Sequence, residues 1–136
     1  MLRSILAVIA GSVVWMVTAL GMDAILMSLW PQWFVEGGKV ESVPLLLFTM
    51  CYALLFGVLG GYVTAVIARR AEVKHALALG ILQLLMGIAA TIKFWDTAPA
   101  WYHIAFLTLL VPAILLGGWL RANRRHKLGA SALPAH

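Results

Sequence analysis

The sequence predicts an all-α integral membrane protein, a bundle of four transmembrane helices with both termini on the cytoplasmic side. Of its 136 residues, 63% are hydrophobic and 11% are charged, whereas a soluble domain of average usage has about 45–50% apolar and about 25% charged residues. Four apolar stretches are long enough, or nearly so, to cross a hydrocarbon core of about 30 Å. The basic residues cluster at alternate ends of these stretches. A soluble domain, a disordered chain and a disulfide scaffold are therefore excluded.

The first two spans are predicted over residues 4–30 and 43–68. The first contains one charged residue, Asp23, and the second contains none. Continuous apolar runs indicate helices, because the strands of a membrane barrel would alternate apolar and polar residues. Pro31 ends the first span, and Pro44 falls in the first turn of the second, where proline is tolerated.

The third and fourth spans are predicted over residues 76–93 and 102–120. The third has only 17 residues before Lys93, about 26 Å of helix, but the long lysine side chain can reach the headgroups. Residues 127–136 are small, basic and polar, and we expect them to form a disordered cytoplasmic tail. A single transmembrane domain over residues 1–126 therefore takes up nearly the whole chain.

The basic residues predict the orientation of the spans. Lys39 and Lys93 lie near one set of span ends, and eight others lie near the opposite set: Arg3, Arg69, Arg70, Lys74, Arg121, Arg124, Arg125 and Lys127. Because Lys and Arg are enriched on the cytoplasmic side, we expect both termini there, in the cytoplasmic (inner) membrane of a bacterium. A cleaved secretory signal is the alternative for the first span, and it is disfavoured because hydrophobicity resumes over residues 24–30.

Small residues on the second span predict a helix-packing seam. Ala53, Gly57, Gly61 and Ala65 recur every four residues and therefore share one helix face, where small side chains let another helix approach closely. Gln83, the one amide deep in the third span, is expected to form an interhelical hydrogen bond. The spacing leaves open whether the seam faces a helix of the same chain or a second protomer.

A polar cluster is predicted at the outer ends of the spans, formed by Asp23, Lys93, Asp96 and His103. Asp23 is the only carboxylate within a span, and a charge there is costly unless it is paired or hydrated. A structural ion pair of Asp23 with Lys93 or His103 is the favoured interpretation, and a proton or cation site is the alternative. Aromatic residues also crowd the outer side, which indicates an interfacial belt or a hydrophobic pocket.

Several short sequence motifs lie between the third span and the end of the fourth: Trp95-Asp96, Pro99-Ala100-Trp101-Tyr102-His103, Pro112 and Leu116-Gly117-Gly118. In these motifs the chain resembles small four-span bacterial membrane proteins that have no assigned mechanism. The resemblance implies a four-span architecture and no functional residue. Small multidrug transporters also have four spans, but they place a glutamate deep in the first span, where this chain has Gly11, Trp15 and Thr18.

From these features we expect a non-enzymatic helical-bundle subunit that associates with itself or with a partner complex in the lipid bilayer, without a cofactor or metal. No dithiol, phosphate loop or serine-nucleophile motif is present. The alternative is a small proton- or cation-coupled transporter or channel-forming subunit that uses Asp23. A lipid- or quinone-active enzyme using His103 beside Asp96 is a third possibility. Nucleic-acid binding is not implied, because membrane topology already explains the basic residues.

Overall fold

The computed structural model describes residues 1–33, 40 and 42–131, and within these residues the chain forms four long helices and two single-turn 3₁₀ helices. The long helices are α1 (Leu2–Leu29), α2 (Val43–Ala68), α3 (Glu72–Lys93) and α4 (Ala100–Ser131), and the 3₁₀ turns are Pro31–Trp33 and Trp95–Thr97. All four long helices are long and apolar enough to cross a membrane. The prediction of an all-helical chain with four candidate spans is confirmed. Lys39 and the last five residues of the predicted tail lie outside the described residues.

Two helices extend beyond their predicted spans. α3 begins at Glu72, ahead of residue 76, and α4 continues to Ser131, past residue 120. The disordered tail predicted from residue 127 is therefore wrong as far as Ser131. Hydropathy marks where a helix leaves the lipid, whereas backbone hydrogen bonding continues for as long as helix-forming residues such as Arg, Ala, Lys and Leu follow.

The two ends of the bundle differ in composition. At the end that we call the basic end, α2 and α3 are joined by residues 69–71, and Arg69 and Ala71 have positive φ angles of 60° and 48°. At the opposite end, which we call the aromatic end, α1 is followed by Trp30, and α3 is followed by Phe94 and Trp95. The short connection at the basic end forces α2 and α3 to run antiparallel as neighbours.

The helices do not contact one another equally. α2 packs extensively against α1 and α4, and α4 packs against α3, whereas α1 and α3 contact each other least. The buried side chains form two clusters, one around Leu79, Leu110 and Ile114 and one around Leu26 and Tyr52. The weak contact of α1 with α3 leaves room for cavities on that side of the bundle.

The seam predicted on α2 faces α4 of the same chain. A Cβ added to Gly61 would overlap the carbonyl group of Ile114, and one added to Gly117 would overlap the carbonyl oxygen of Val58. Gly57 is less crowded, since its added Cβ would lie 3.5 Å from Ile114 Cγ1. The two backbones therefore touch at this crossing, and the face that could have joined two protomers is used within one chain.

Two further crossings involve glycines that the seam pattern does not include. A Cβ on Gly11 of α1 would lie 2.7 Å from the carbonyl oxygen of Gly60 on α2 and would overlap Thr64 Oγ1. A Cβ on Gly118 of α4 would overlap Cβ of Ala76 on α3. Glycine removes the side chain that would otherwise hold these helices apart, so each neighbouring pair approaches closely in the half of the bundle near the basic end.

Candidate functional site

Among the described residues, no hydrogen bond or salt bridge joins the four members of the predicted polar cluster. Asp23 Oδ1 accepts a hydrogen bond from the Tyr52 hydroxyl of α2. Lys93 is exposed, with its Nζ 5.4 Å from the centroid of the Phe94 ring. Among the described residues the one salt bridge joins Arg125 and Glu72 at the basic end, so the predicted ion pair of Asp23 with Lys93 or His103 is not formed.

The helix contacts explain this difference. α1 packs closely on α2 and only loosely on α3, so the donor nearest to Asp23 is a side chain of α2. Lys93 is the last residue of α3, where its side chain extends outward along the surface. Asp96 is exposed in a 3₁₀ turn, whereas His103 is buried in α4.

The Tyr52 hydroxyl was missed by the sequence reasoning, although a depth count could have found it. Asp23 lies six residues before the end of α1 and Tyr52 nine residues after the start of α2, about 9 and 14 Å from the aromatic end. A carboxylate within a span needs a donor, and Tyr52 is a donor on a neighbouring helix at a similar depth.

A hydrogen bond between two hydroxyl groups connects α2 to α4. Thr49 Oγ1 and the Tyr102 hydroxyl oxygen are 3.3 Å apart, and Thr49 also donates to the carbonyl oxygen of Leu46 at 2.9 Å. A threonine hydroxyl has only one proton to donate. Tyr102 therefore donates to Thr49, and this bond fixes the tyrosine ring beside His103.

A cavity of about 280 Å³ lies among α1, α3 and α4 in the aromatic half of the bundle. Its lining is Trp15 from α1, Gln83, Met86, Gly87, Ala90, Thr91 and Phe94 from α3, and Tyr102, His103, Phe106 and Leu110 from α4. Met86 and Phe94 are about half exposed, whereas Gln83, His103 and Leu110 are buried. The cavity therefore has a buried inner wall and opens sideways on the apolar surface beside α3.

Several polar atoms around this cavity have hydrogen-bond partners. Gln83, for which the sequence predicted an interhelical hydrogen bond, donates from Nε2 to Ser12 Oγ on α1 at 3.2 Å. Trp15 donates from Nε1 to the carbonyl oxygen of Ala53 on α2 at 3.1 Å. These two bonds hold the cavity walls together across three helices.

The Nε2 atom of His103, which is also part of the cavity wall, differs from these atoms. This atom is buried and has no hydrogen-bond partner among the described residues, in a side chain that is 8% exposed. Leaving a buried polar atom unpaired costs about 1–3 kcal/mol. The structure therefore holds one hydrogen-bonding group in a mostly apolar cavity at a cost in stability.

Aromatic rings fix the orientation of the His103 imidazole. Trp95 stacks on it with a centroid distance of 5.5 Å, and Tyr102 meets it edge-on at 5.9 Å. Tyr102 in turn stacks on Phe106 at 6.2 Å. A ring clamped in this way offers one hydrogen bond in a fixed direction, as donor or acceptor according to its tautomer.

Metal chemistry finds no support in this arrangement. No group of three or more His, Cys, Asp or Glu side chains that could hold a metal ion occurs within the described residues. The cavity offers apolar and aromatic surface together with one buried, unpartnered hydrogen-bonding atom.

Comparison with known proteins adds no further assignment: no family model matches the chain, and no curated protein and no solved structure is similar to it.

Proposed function

We propose that this protein is a non-enzymatic four-helix membrane bundle that binds a lipid-soluble molecule in the cavity beside His103. The observation that carries the proposal is the buried, unpartnered Nε2 of His103 at the wall of that cavity. An unpaired polar atom destabilises the empty protein, and a ligand with one matching polar group removes that cost when it binds.

The cavity restricts the ligand. Its volume of about 280 Å³ is at the lower limit of small-molecule sites, which begin at about 300 Å³. A single ring or a short branched group fits, and any longer tail would lie in the lipid. Because the half-exposed Met86 and Phe94 border the opening, the ligand enters sideways from the bilayer.

Two neighbouring alanines give the test of this proposal. Ala90 lines the cavity and Ala89 does not, and both are exposed on α3. After gentle extraction from native membrane, molecules retained by the wild type are identified by mass spectrometry. Ala90→Trp should fill the cavity and lose the ligand, whereas Ala89→Trp puts the same ring into lipid and should keep it. A ligand that is retained equally in both variants contradicts the proposal.

We propose that both termini and the basic end lie in the cytoplasm of a bacterial cell. The proposal is supported by eight basic residues near one set of helix ends against two near the other. A C-terminal reporter enzyme that is active only outside the cytoplasm should be inactive in the fusion. Activity would contradict this orientation.

Association with a second copy or with a partner subunit also stays a proposal. It cannot use the α2 seam, one of the two possibilities that the spacing left open, because Gly57 and Gly61 are buried against α4. Any such contact would use the lipid-facing surface of the bundle. Size measurement in nanodiscs tests self-association directly, because a monomer and a dimer differ twofold in protein mass.

A second candidate function, a proton- or cation-coupled transporter, is favoured by Asp23. This carboxyl group has a hydroxyl partner and no cationic partner among the described residues. An ionised carboxylate at this position is costly in lipid, so uptake of a proton or of a cation would stabilise it.

Flux in proteoliposomes tests the transporter directly. Asp23→Asn should abolish proton-coupled flux and leave the fold intact, and Asp96→Asn, which changes an exposed carboxylate at the same end, should leave flux unchanged. Flux that is absent in the wild type for a panel of cations and small amines, or that survives Asp23→Asn, would remove this candidate.

A further inference from the structure

The basic end carries a second cavity, separate from the His103 site. It measures about 530 Å³ and lies between the α2–α3 connection and one face of α4, with Arg70, Glu72, Arg125 and His126 in its lining. Charged and polar side chains form much of its wall, in contrast to the apolar lining of the His103 cavity. Its chemistry therefore points to a charged ligand.

The position of Arg125 in this cavity is fixed by two acceptors. Its Nη1 donates to the carbonyl oxygen of Arg69 and, at 2.8 Å, to Glu72 Oε1. Both protons of Nη1 are used in these bonds. A guanidinium has five N–H groups in one rigid plane, so three of them, on Nε and Nη2, are left to bind a ligand.

The charges around the cavity leave a positive surplus. Glu72 is paired with Arg125 and compensates one positive charge. Arg70 has no carboxylate within salt-bridge distance in the described part of the chain, and it lies two residues after the end of α2. A second arginine is therefore available beside the three free N–H groups of Arg125, an arrangement that suits a phosphate group.

The depth of the cavity identifies the source of that phosphate. The apolar segment of α4 ends at Leu120, and Arg125 lies five residues further along the same helix, about 7.5 Å. The headgroup layer extends about 5–8 Å beyond the hydrocarbon core on each side. Arg125 is therefore level with lipid phosphates rather than with bulk water.

We propose that this cavity binds the phosphate of an anionic phospholipid, held by Arg70 and by the free N–H groups of Arg125. The lipid contributes its net negative charge, which a zwitterionic lipid lacks. Bound at the α2–α3 connection, it links that connection to α4 through Arg125 and Glu72. The proposal does not depend on the ligand of the His103 cavity.

Native mass spectrometry of the full chain tests the proposal. The protein is released from nanodiscs that contain equal amounts of phosphatidylglycerol and phosphatidylcholine, and the ratio of the two lipids that stay bound is measured. Arg70→Gln is the informative variant, because Arg125 also holds Glu72 and the Arg69 carbonyl. The matched control is Arg124→Gln, since Arg124 lies over the Tyr62 ring at 6.0 Å and does not line this cavity.

We expect the wild type to retain phosphatidylglycerol preferentially. Arg70→Gln should lower that preference about fivefold, the effect of one arginine charge at an anionic surface, and Arg124→Gln should change it little. Equal losses in both variants would show diffuse surface attraction and overturn the proposal, as would the absence of any preference in the wild type. Displacement of the lipid by millimolar inorganic phosphate would overturn the assignment to a phospholipid.

Discussion

The crossing of α2 with α4 and the cavity beside His103 pack helices in opposite ways. At the crossing, Gly61 and Gly117 bring the two backbones into contact and leave no space for a side chain. Around the cavity, the large rings of Trp15, Tyr102 and Phe106 form part of the walls, and about 280 Å³ remains open. Small residues thus give a close fit between helices in lipid, whereas the packing of large rings leaves open space. The closest backbone contact and the cavity proposed to bind a ligand therefore lie in different parts of this bundle.

The largest expected effect comes from breaking the glycine crossing. Gly61→Ala should destabilise the protein by about 3 kcal/mol, at the upper end of overpacking costs, because the new Cβ overlaps backbone that cannot move alone. Gly57→Ala, with its nearest atom 3.5 Å away, should change stability little. Reversible unfolding in mixed micelles measures both variants.

The matched control for that series is Gly21→Ala. Gly21 lies in α1, and apart from the adjacent residues and the nearby backbone of α1 itself, no described atom is within 4 Å of an added Cβ. Alanine favours a helix over glycine by about 1 kcal/mol, so this variant should be as stable as the wild type or more stable. If Gly61→Ala and Gly21→Ala behave alike, the close crossing of α2 with α4 is not what stabilises the bundle.

A smaller effect is expected at the Asp23–Tyr52 hydrogen bond in the aromatic half. Tyr52→Phe should cost about 1.5–3 kcal/mol if the carboxyl group is ionised and about 0.5–1.5 kcal/mol if it is neutral. A double-mutant cycle with Asp23→Asn isolates the pairwise contribution. A coupling energy near zero would show that this hydrogen bond contributes nothing to holding α1 on α2.

Replacing His103 should raise stability while removing binding. His103→Phe keeps an aromatic ring against Trp95 and Tyr102 and deletes the unpaired nitrogen, so the empty protein should gain about 1 kcal/mol. The molecule retained by the wild type should be lost. Lower stability in the variant would mean that Nε2 has a hydrogen-bond partner. It would then contradict the proposal that this atom destabilises the empty protein.

The smallest effect is expected at Gln83, on the inner wall of the cavity. Gln83→Leu removes the hydrogen bond to Ser12 and should cost about 0.6 kcal/mol, the average for such bonds between membrane helices. Ser12→Ala provides the second arm of a double-mutant cycle. A coupling energy above about 2 kcal/mol would mean that this hydrogen bond is the main interaction that stabilises the α1–α3 contact. The other helix pairs would then differ, since they are held by close packing at glycines.

The amino-acid sequence was sufficient to predict the four helices and the faces that carry small residues. Hydropathy and four-residue spacing are properties of one segment at a time, so α2 was predicted from residue 43 to 68, where it is observed. The end of α4 was not predicted, because its last turns lie beyond the apolar segment and depend on helix propensity and on the tertiary contacts of Arg125 with Arg69 and Glu72. The four-residue spacing predicted that Gly57 and Gly61 share a packing face, but it did not predict which helix packs against that face.

The tertiary structure alone decided which side chains meet. Asp23 bonds to Tyr52 rather than to Lys93, the α2 seam faces α4 rather than a second copy, and His103 lines a cavity with Trp95 stacked on its ring. Each outcome depends on how the helices are ordered and rotated in the bundle. In lipid every face of an apolar helix is equally soluble, so hydropathy does not select the face that packs against a neighbouring helix. Close backbone contact and interhelical hydrogen bonds select that face instead.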